Sequence, residues 1–317
     1  MPNRNQHPSP DSNGGRQRIL VLRGGALGDF LVTLPALRLL RERWPSARIE
    51  LAGNPRAAEL GLLAGVLDRV HSQAEARWAQ LYDAAPLAPD FQSWLNDFDL
   101  IVNFWPDPER ELCRHFSQRG ANFIASDATV KTHPAAAHFC AALQPLGLKT
   151  TGDHLFNFDF PAPVRSEAAR RLGEMTDFIA IHPGSGSLQK NWPLTRWTEL
   201  IARLQGPLLI VTGEAEQIYP RWPQNRTVVH AHDWPLPVLG AALAKSRLFI
   251  GHDSGISHLA AASGARCVLL FGPTEPAIWA PPGARTIKLG KILDPISVSD
   301  VMAAIGPRPN PASAGPK

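Results

Sequence analysis

The strongest constraint on the fold is an alternation that runs almost the length of the chain. Short apolar, β-branched runs recur as "RILVL" (18–22), "RIEL" (48–51), "LIVNF" (100–104) and "NFIAS" (122–126). After "FDFPAPV" they resume as "FIAIH" (178–182), "LLIVTG" (208–213), "TVVHA" (227–231), "RLFIG" (247–251) and "CVLLFG" (267–272). Helical periodicity fills the intervals near 28–43, 55–65, 133–146, 193–204, 214–219, 236–244 and 255–263. Runs this uniformly apolar are buried on both faces, which requires parallel sheets covered by helices. The chain has 317 residues, enough for two units of about 150 residues each. The Pro-rich stretch near 158–165 divides them. The pattern predicts two Rossmann-like halves, 17–160 and 161–305, facing one cleft, with ligands at the carboxyl ends of the strands.

Composition narrows the function classes. Residues 1–16 and 306–317 are rich in Pro, Gly, Ser and Asn and are expected to be disordered tails, since they bury too little apolar surface to offset ordering entropy. The net charge of +4 contains no block of five or six like charges, so a nucleic-acid-binding arm is not indicated. Three cysteines, Cys113, Cys140 and Cys267, lack C-x-x-C spacing, which argues against a disulfide framework and a structural zinc site. The N-terminal stretch carries no apolar core of a secretory signal, and no run of about 18 apolar residues occurs. A cytoplasmic protein is expected.

Three strand-to-helix turns carry polar chemistry. The first, "LVLRGGALGDFLVTLPAL" (21–38), looks like a phosphate loop but fits neither G-x-G-x-x-G nor G-x-x-x-x-G-K-[ST], and it holds a carboxylate at Asp29. On the residues alone Asp29 is either a helix-start acid, favoured there by about 0.3–1 kcal/mol, or a catalytic group. The second, "HPGSGSLQKNWP" (182–193), combines Gly184, Ser185, Gly186, Ser187 and Lys190 ahead of Pro193. That is the composition of an anion nest at a helix start, suited to a diphosphate. The third, "FIGHDSGISHLAAASGARCVLLFGPTEPAIWAPPG" (249–283), places Asp253, Ser254 and Gly255 at another helix start with His258 close behind. Asp and Ser are favoured caps, and the free amides of that turn suit a second phosphate oxygen.

Those three blocks, read as "RGGALGDFLVTLPALRLLRERWP", "HPGSGSLQKNWPLTRWTELI" and the stretch 249–283, closely resemble glycosyltransferase family 9, the ADP-heptose:lipopolysaccharide heptosyltransferases and their relatives. The resemblance implies a GT-B architecture, with the acceptor and general base on the N-terminal half and the nucleotide sugar on the C-terminal half. It also implies a last helix, about 296–305, crossing back to the first domain. The implied reaction is inverting transfer of a sugar, heptose from ADP-heptose, onto a lipopolysaccharide-core or related glycan acceptor. No cofactor is expected beyond the donor itself, and contact with the cytoplasmic face of the inner membrane is compatible with a glycolipid acceptor.

Carried over residue by residue, the resemblance makes Asp29 the base and assigns donor phosphates to Ser185, Gly186, Ser187, Lys190, Ser254 and Gly255. Sugar and nucleoside contacts fall to Glu214, Asp253, His258, Gly272, Pro273 and Thr274. On the acceptor side the candidates are Gly28, Arg110, Arg114, Lys131 and His133, basic groups that would suit an anionic acceptor. No metal site is expected: the "DFD" at 97–99 precedes a strand rather than ending one, so its carboxylates belong at the wrong sheet edge for a ligand. Two departures stand out. Gly25 occupies a position where relatives often carry a larger residue, which is expected to cost rigidity rather than chemistry. "NFWPDPE" (103–109) replaces the family's usual acceptor-side strand end. A family 9 transferase using another nucleotide sugar or acceptor, a nucleotide-sugar epimerase of the same architecture and a non-enzymatic nucleotide-binding module are the alternatives on this reading, and a dehydrogenase is disfavoured for lack of G-x-G-x-x-G followed by an acid.

Overall fold

The structure is a computed structural model that describes residues 17–126, 130, 134–149, 152, 154–213 and 226–306. In the N-terminal half the chain runs β1 (Arg18–Arg23), α1 (Leu27–Leu31), α2 (Leu34–Arg43), β2 (Arg48–Gly53), α3 (Pro55–Leu63), β3 (Arg69–Ser72), α4 (Pro89–Asn96), β4 (Leu100–Asn103), α5 (Glu111–His115), β5 (Phe123–Ala125) and α6 (Ala135–Ala141). The C-terminal half follows with α7 (Ala162–Leu172), β6 (Ile179–Ile181), α8 (Leu194–Arg203), β7 (Leu208–Thr212), β8 (Val228–His232) and α9 (Leu236–Leu243). It ends in β9 (Leu248–His252), α10 (Gly255–Ala262), β10 (Cys267–Leu270), α11 (Pro276–Trp279), β11 (Arg285–Ile287) and α12 (Val298–Ile305).

Both sheets are parallel, in the orders β3-β2-β1-β4-β5 and β11-β10-β9-β6-β7-β8. Each order reverses direction once, between β1 and β4 in the first sheet and between β6 and β9 in the second. Open parallel sheets bind ligands outside the carboxyl ends of strands at such reversals. The loops that leave β1, β6 and β9 are the three polar turns singled out in the sequence. The central strands are buried throughout, which is why they read as continuous apolar runs.

The halves share packing rather than merely facing each other. Contacts join α1 to α10 and α3 to α9, and one apolar cluster runs from Leu37 and Leu60 through Phe156 and Phe160 to Leu239 and Leu259. The stretch before α7 anchors on the second half, where the amide of Phe158 donates to the carbonyl of Ala262 at 2.9 Å. Two expectations are corrected. The helix predicted over 28–43 is broken into α1 and α2, because Pro35 in the first turn of α2 lacks an amide hydrogen and its ring would clash with the carbonyl of Leu31. The last helix does not cross back to the first domain: α12 packs on α8, β10 and β11, burying Val298, Val301 and Ala304 with Trp197 and Leu200. Its apolar stripe is used up within the second half.

Candidate active site

Asp29 is the third residue of α1, and its carboxylate folds back over the turn that leaves β1. Oδ2 accepts the amide hydrogen of Ala26 at 2.9 Å, and Oδ1 accepts from the guanidinium of Arg23 at 3.2 Å. The Nε of Arg23 donates to the Asp29 carbonyl at 3.0 Å and to Thr33 Oγ1 at 2.9 Å, so the helix break serves to clamp the same arginine. Burial lowers the pKa of Arg23, an effect that Asp29 opposes. Gly25 makes the turn geometry available. It has φ +101°, and a Cβ there would lie 2.5 Å from Asp29 Oδ2 and 2.7 Å from its Cγ. The view of Gly25 as a cost in rigidity alone is therefore corrected, since its missing side chain is the space the carboxylate occupies.

Across the cleft, buried histidines tie the loops of the second sheet together. Nε2 of His252 accepts the amide hydrogen of Trp192 at 3.0 Å, which leaves Nδ1 as the donor to the Gly184 carbonyl at 3.2 Å. His182 lies 3.3 Å from Ser254 Oγ, and that hydroxyl caps α10. Ser185 is buried, with its hydroxyl 2.7 Å from both the Ser187 carbonyl and Asn191 Oδ1. It shapes the anion nest from within, while Gly186 and Ser187 face the cleft. Lys190 Nζ donates to Asp253 Oδ2 at 2.6 Å, and Thr274 Oγ1 donates to the same oxygen at 2.7 Å. The ammonium remains partly exposed, at 30%, whereas the Asp253 side chain is 10% exposed.

These groups line one cavity of about 400 Å³ between the halves. Ala26, Gly28 and Asp29 form one wall, and Gly186, Ser187, Lys190, Asp253, Ser254, Gly255, His258, Thr274 and Trp279 form the other. The walls meet at two glycines: a Cβ on Gly255 would lie 2.7 Å from the amide nitrogen of Gly28. His258 stands between the two carboxylates, its pKa lowered by burial against the raising influence of Asp253 and Asp29. A second cavity of about 360 Å³ adjoins the first through Ala26, Gly28, Gly186, Ser254 and Gly255. Trp234, Leu236, Leu239, Ile256 and Leu27 give it apolar walls, with Thr212 and Asp233 at its polar edge. Asp233 forms an ion pair with Arg56 from α3, joining the halves across this mouth.

The structure thus brings Asp29, Gly28, Gly186, Ser187, Lys190, Asp253, Ser254, Gly255, His258 and Thr274 to one place. Other expected residues fall elsewhere. Gly272 packs beneath Leu293 and exposed Pro273 lines neither cavity. Arg110 begins α5, Arg114 lies within it, and neither lines the cleft. Lys131, His133 and Glu214 lie outside the described residues, as do 1–16 and 307–317. The "DFD" carboxylates sit at the amino edge of β1, where Asp99 accepts the amide of Arg18 at 2.8 Å and Asp97 pairs with its guanidinium. Among the described residues no three His, Cys, Asp or Glu side chains are grouped to hold a metal ion, and no helix is long and apolar enough to cross a membrane. Arg23, His182, His252, Asp233 and Trp279 are site residues that sequence reasoning missed. Arg23, His182, His252 and Trp279 lie within the three quoted turns, and Asp233 lies two residues past an apolar run.

Two parallel, doubly wound sheets with facing reversals, and a cleft between them with a carboxylate opposite a lysine-bearing turn, make up the GT-B architecture. The model of glycosyltransferase family 9 (heptosyltransferase) matches residues 157–296. The lipopolysaccharide heptosyltransferase 1 of Escherichia coli is 21% identical over 295 residues, covering 82% of this chain and 89% of the relative. That of Pseudomonas aeruginosa is 24% identical over 303 residues, covering 86% and 83%. Among solved structures, the family 9 glycosyl transferase from Veillonella parvula superposes with a TM-score of 0.72 at 20% identity, covering 93% of this chain and 98% of that one. The Escherichia coli heptosyltransferase WaaC with ADP-2-deoxy-2-fluoro heptose gives 0.66 at 18% identity, covering 91% and 99%. The chain is thus similar to glycosyltransferase family 9, whose model covers most of its C-terminal half.

Proposed function

We propose that the protein moves heptose from ADP-heptose onto a hydroxyl of a lipopolysaccharide-core or related glycan, with inversion at the anomeric carbon. The observation that carries the reading is the single cavity in which the Asp29 carboxylate faces Lys190, Asp253 and the start of α10. In the step envisaged, Asp29 takes the proton of the acceptor hydroxyl as its oxygen bonds to the anomeric carbon. The bond from that carbon to the diphosphate breaks, and its electron pair leaves with ADP. Lys190 exchanges Asp253 for the departing phosphate, joined by Gly186, Ser187 and the first amides of α10, which supply positive charge where a cation would otherwise be needed. Asp253, released, is free to accept from hydroxyls of the transferred sugar. The neighbouring cavity suits the nucleoside, with adenine against Trp234 and Leu239 and the ribose hydroxyls toward Asp233.

The names of the relatives support heptose and a lipopolysaccharide acceptor, and the donor analogue named with WaaC supports ADP. Calorimetric titration with ADP, UDP and GDP tests the donor, followed by turnover of ADP-heptose. ADP is expected to bind, and Asp29→Asn to bind it equally while losing about 10²–10⁴ in turnover, the worth of a positioned base. Tight UDP binding with no ADP binding overturns the ADP-heptose reading. Unchanged turnover in Asp29→Asn overturns the base.

A further inference from the structure

Of the helix pairs that join the two halves, α1 and α10 pack most extensively, and they meet at their starts. A Cβ on Gly255, the first residue of α10, would lie 2.7 Å from the amide nitrogen of Gly28 and 2.7 and 2.9 Å from Cβ and Cγ of Leu27. Leu27 of the first half therefore occupies the space that a side chain at Gly255 would need. The local backbone does not ask for glycine there. Gly255 lies outside the left-handed region, and alanine is favoured over glycine in helices by roughly 1 kcal/mol. What excludes a side chain at Gly255 is the other half of the molecule.

The contact stands between the two polar walls of the cleft. Gly28 immediately precedes Asp29, and Gly255 follows Asp253 and Ser254, with Lys190 held on Asp253 at 2.6 Å. All of these groups line the cavity of about 400 Å³. The separation of α1 from α10 thus sets the gap between the Asp29 carboxylate and the Lys190–Asp253 pair. Non-bonded heavy atoms rest about 3.5–4.0 Å apart, so a methyl placed at 2.7 Å must drive the walls apart by roughly 1 Å. The Gly28 amide and Leu27 Cβ are fixed by the backbone of α1, and no rotamer change relieves them. The requirement is one-sided: a Cβ on Gly28 would meet Gly255 Cα at 3.5 Å and its amide nitrogen at 3.6 Å, an ordinary contact.

We propose that Gly255 is a positioning residue for the transfer step: its missing side chain seats α10 against α1, and that seat fixes the distance from the Asp29 carboxylate to the donor on the second half. The proposal rests on Asp29 being the base and on the second half holding the nucleotide sugar. It gives Gly255 a role separate from that of its amide, since alanine would supply the same amide to a phosphate. A misplacement of 1 Å between reacting groups costs about 10²-fold in rate, which is the effect a single methyl at this contact should have.

Gly255→Ala in the full chain tests it, with turnover of ADP-heptose and calorimetric titration of ADP measured on the same preparation. The variant is expected to fold, to bind ADP as the parent does, and to lose about 10²-fold in kcat with KM for the donor unchanged. Gly28→Ala, whose methyl meets Gly255 only at ordinary contact distance, should lose less than about 10-fold, and the bulkier Gly255→Val should lose more than Gly255→Ala. Near-native kcat in Gly255→Ala overturns the proposal. So does a fall in ADP affinity that matches the fall in kcat, which would make the loss a donor-site effect, and so does a Gly255→Ala protein without a cooperative unfolding transition, which would make the glycine structural. Asp29→Asn assayed alongside keeps the two readings apart. Normal turnover in that variant removes the base itself, whereas an inactive Asp29→Asn beside a near-native Gly255→Ala removes the spacing alone.

Discussion

Gly25→Ala is the substitution whose effect can be worked most fully from the geometry. Its backbone sits at φ +101°, a region that costs an L-residue about 1–2 kcal/mol. The added methyl would stand 2.5, 2.7 and 2.8 Å from Oδ2, Cγ and Cβ of Asp29, so the carboxylate must move. Moving it forfeits the hydrogen bonds from Ala26 and Arg23, and bonds of that charge-assisted kind are worth about 1.5–3 kcal/mol each. The turn is destabilised by a few kcal/mol, and the carboxylate leaves its seat. Turnover, followed as ADP release from ADP-heptose, should therefore drop nearly as far as in an Asp29 variant, about 10²-fold or more. ADP affinity, which depends on the other half, should hold. Combining Gly25→Ala with Asp29→Ala is the decisive control, because residues acting as a unit are non-additive. The double variant should be no slower than Asp29→Ala alone. Near-native turnover in Gly25→Ala, or losses that simply add in the double variant, would refute the argument that Gly25 exists to seat the carboxylate.

Two other perturbations follow from the same contacts. Lys190→Ala removes one charge-assisted bond to the diphosphate and should lower kcat/KM for the donor about 10- to 100-fold, with ADP affinity measured by calorimetry falling in parallel; unchanged ADP affinity would separate Lys190 from the phosphates. Acid stability should depend on Glu50, which is fully buried in β2 against His71 at 2.7 Å and Arg18 at 2.9 Å. Burial pushes its pKa up, but bonds from His71 and Arg18 and the charge of Arg48 overcome this and bring it to about 2 from 4.5. A carboxylate depressed on folding stabilises the protein above its unfolded pKa, and that contribution drains away as pH falls through the folded value. Chemical denaturation between pH 5 and pH 2 should accordingly lose on the order of 2–3 kcal/mol from this site, and Glu50→Gln should flatten that limb of the curve.

How much of this could be read from the chain follows the physics of each element. Strands buried on both faces, such as β7 and β9, advertise themselves by composition, and so do the polar turns at their ends. The edge strands β3, "RVHS", and β11, "RTI", are short and half polar, and nothing local separates them from loops. The break between α1 and α2 was legible in Pro35, yet apolar periodicity on either side masked it. Asp29, Lys190 and Asp253 were singled out because each lies in a polar turn after a strand and in a motif that resembles the family's. The Arg56–Asp233 pair and the two loop-tying histidines depend on residues far apart in sequence meeting in space. No spacing rule encodes them. Trp105 lies between these cases: it was visible as a departure from the family pattern, but its burial against Trp78 was not.

The turn after β1 looks like a phosphate loop, but two of its amides are already committed. The amide of Gly25 goes to Gln73 and that of Ala26 goes to Asp29, so an anion arriving there would find a carboxylate instead of donors. At the start of α10 the balance is reversed. Ser254 Oγ caps the amide of Ser257, while the amides of Gly255 and Ile256 precede the first helical carbonyl partners, as the opening amides of any helix do. With Lys190 beside them, they form the positive side of the cavity. The two glycine-bearing turns therefore differ in what they offer an anion although similar in sequence: Gln73 and the Asp29 carboxylate take donors at the first, and Lys190 stands beside the second. On the proposed reading, Asp29 and Gln73 take up donors of the turn after β1, which would steer phosphate to the other half and leave the first half to receive a hydroxyl.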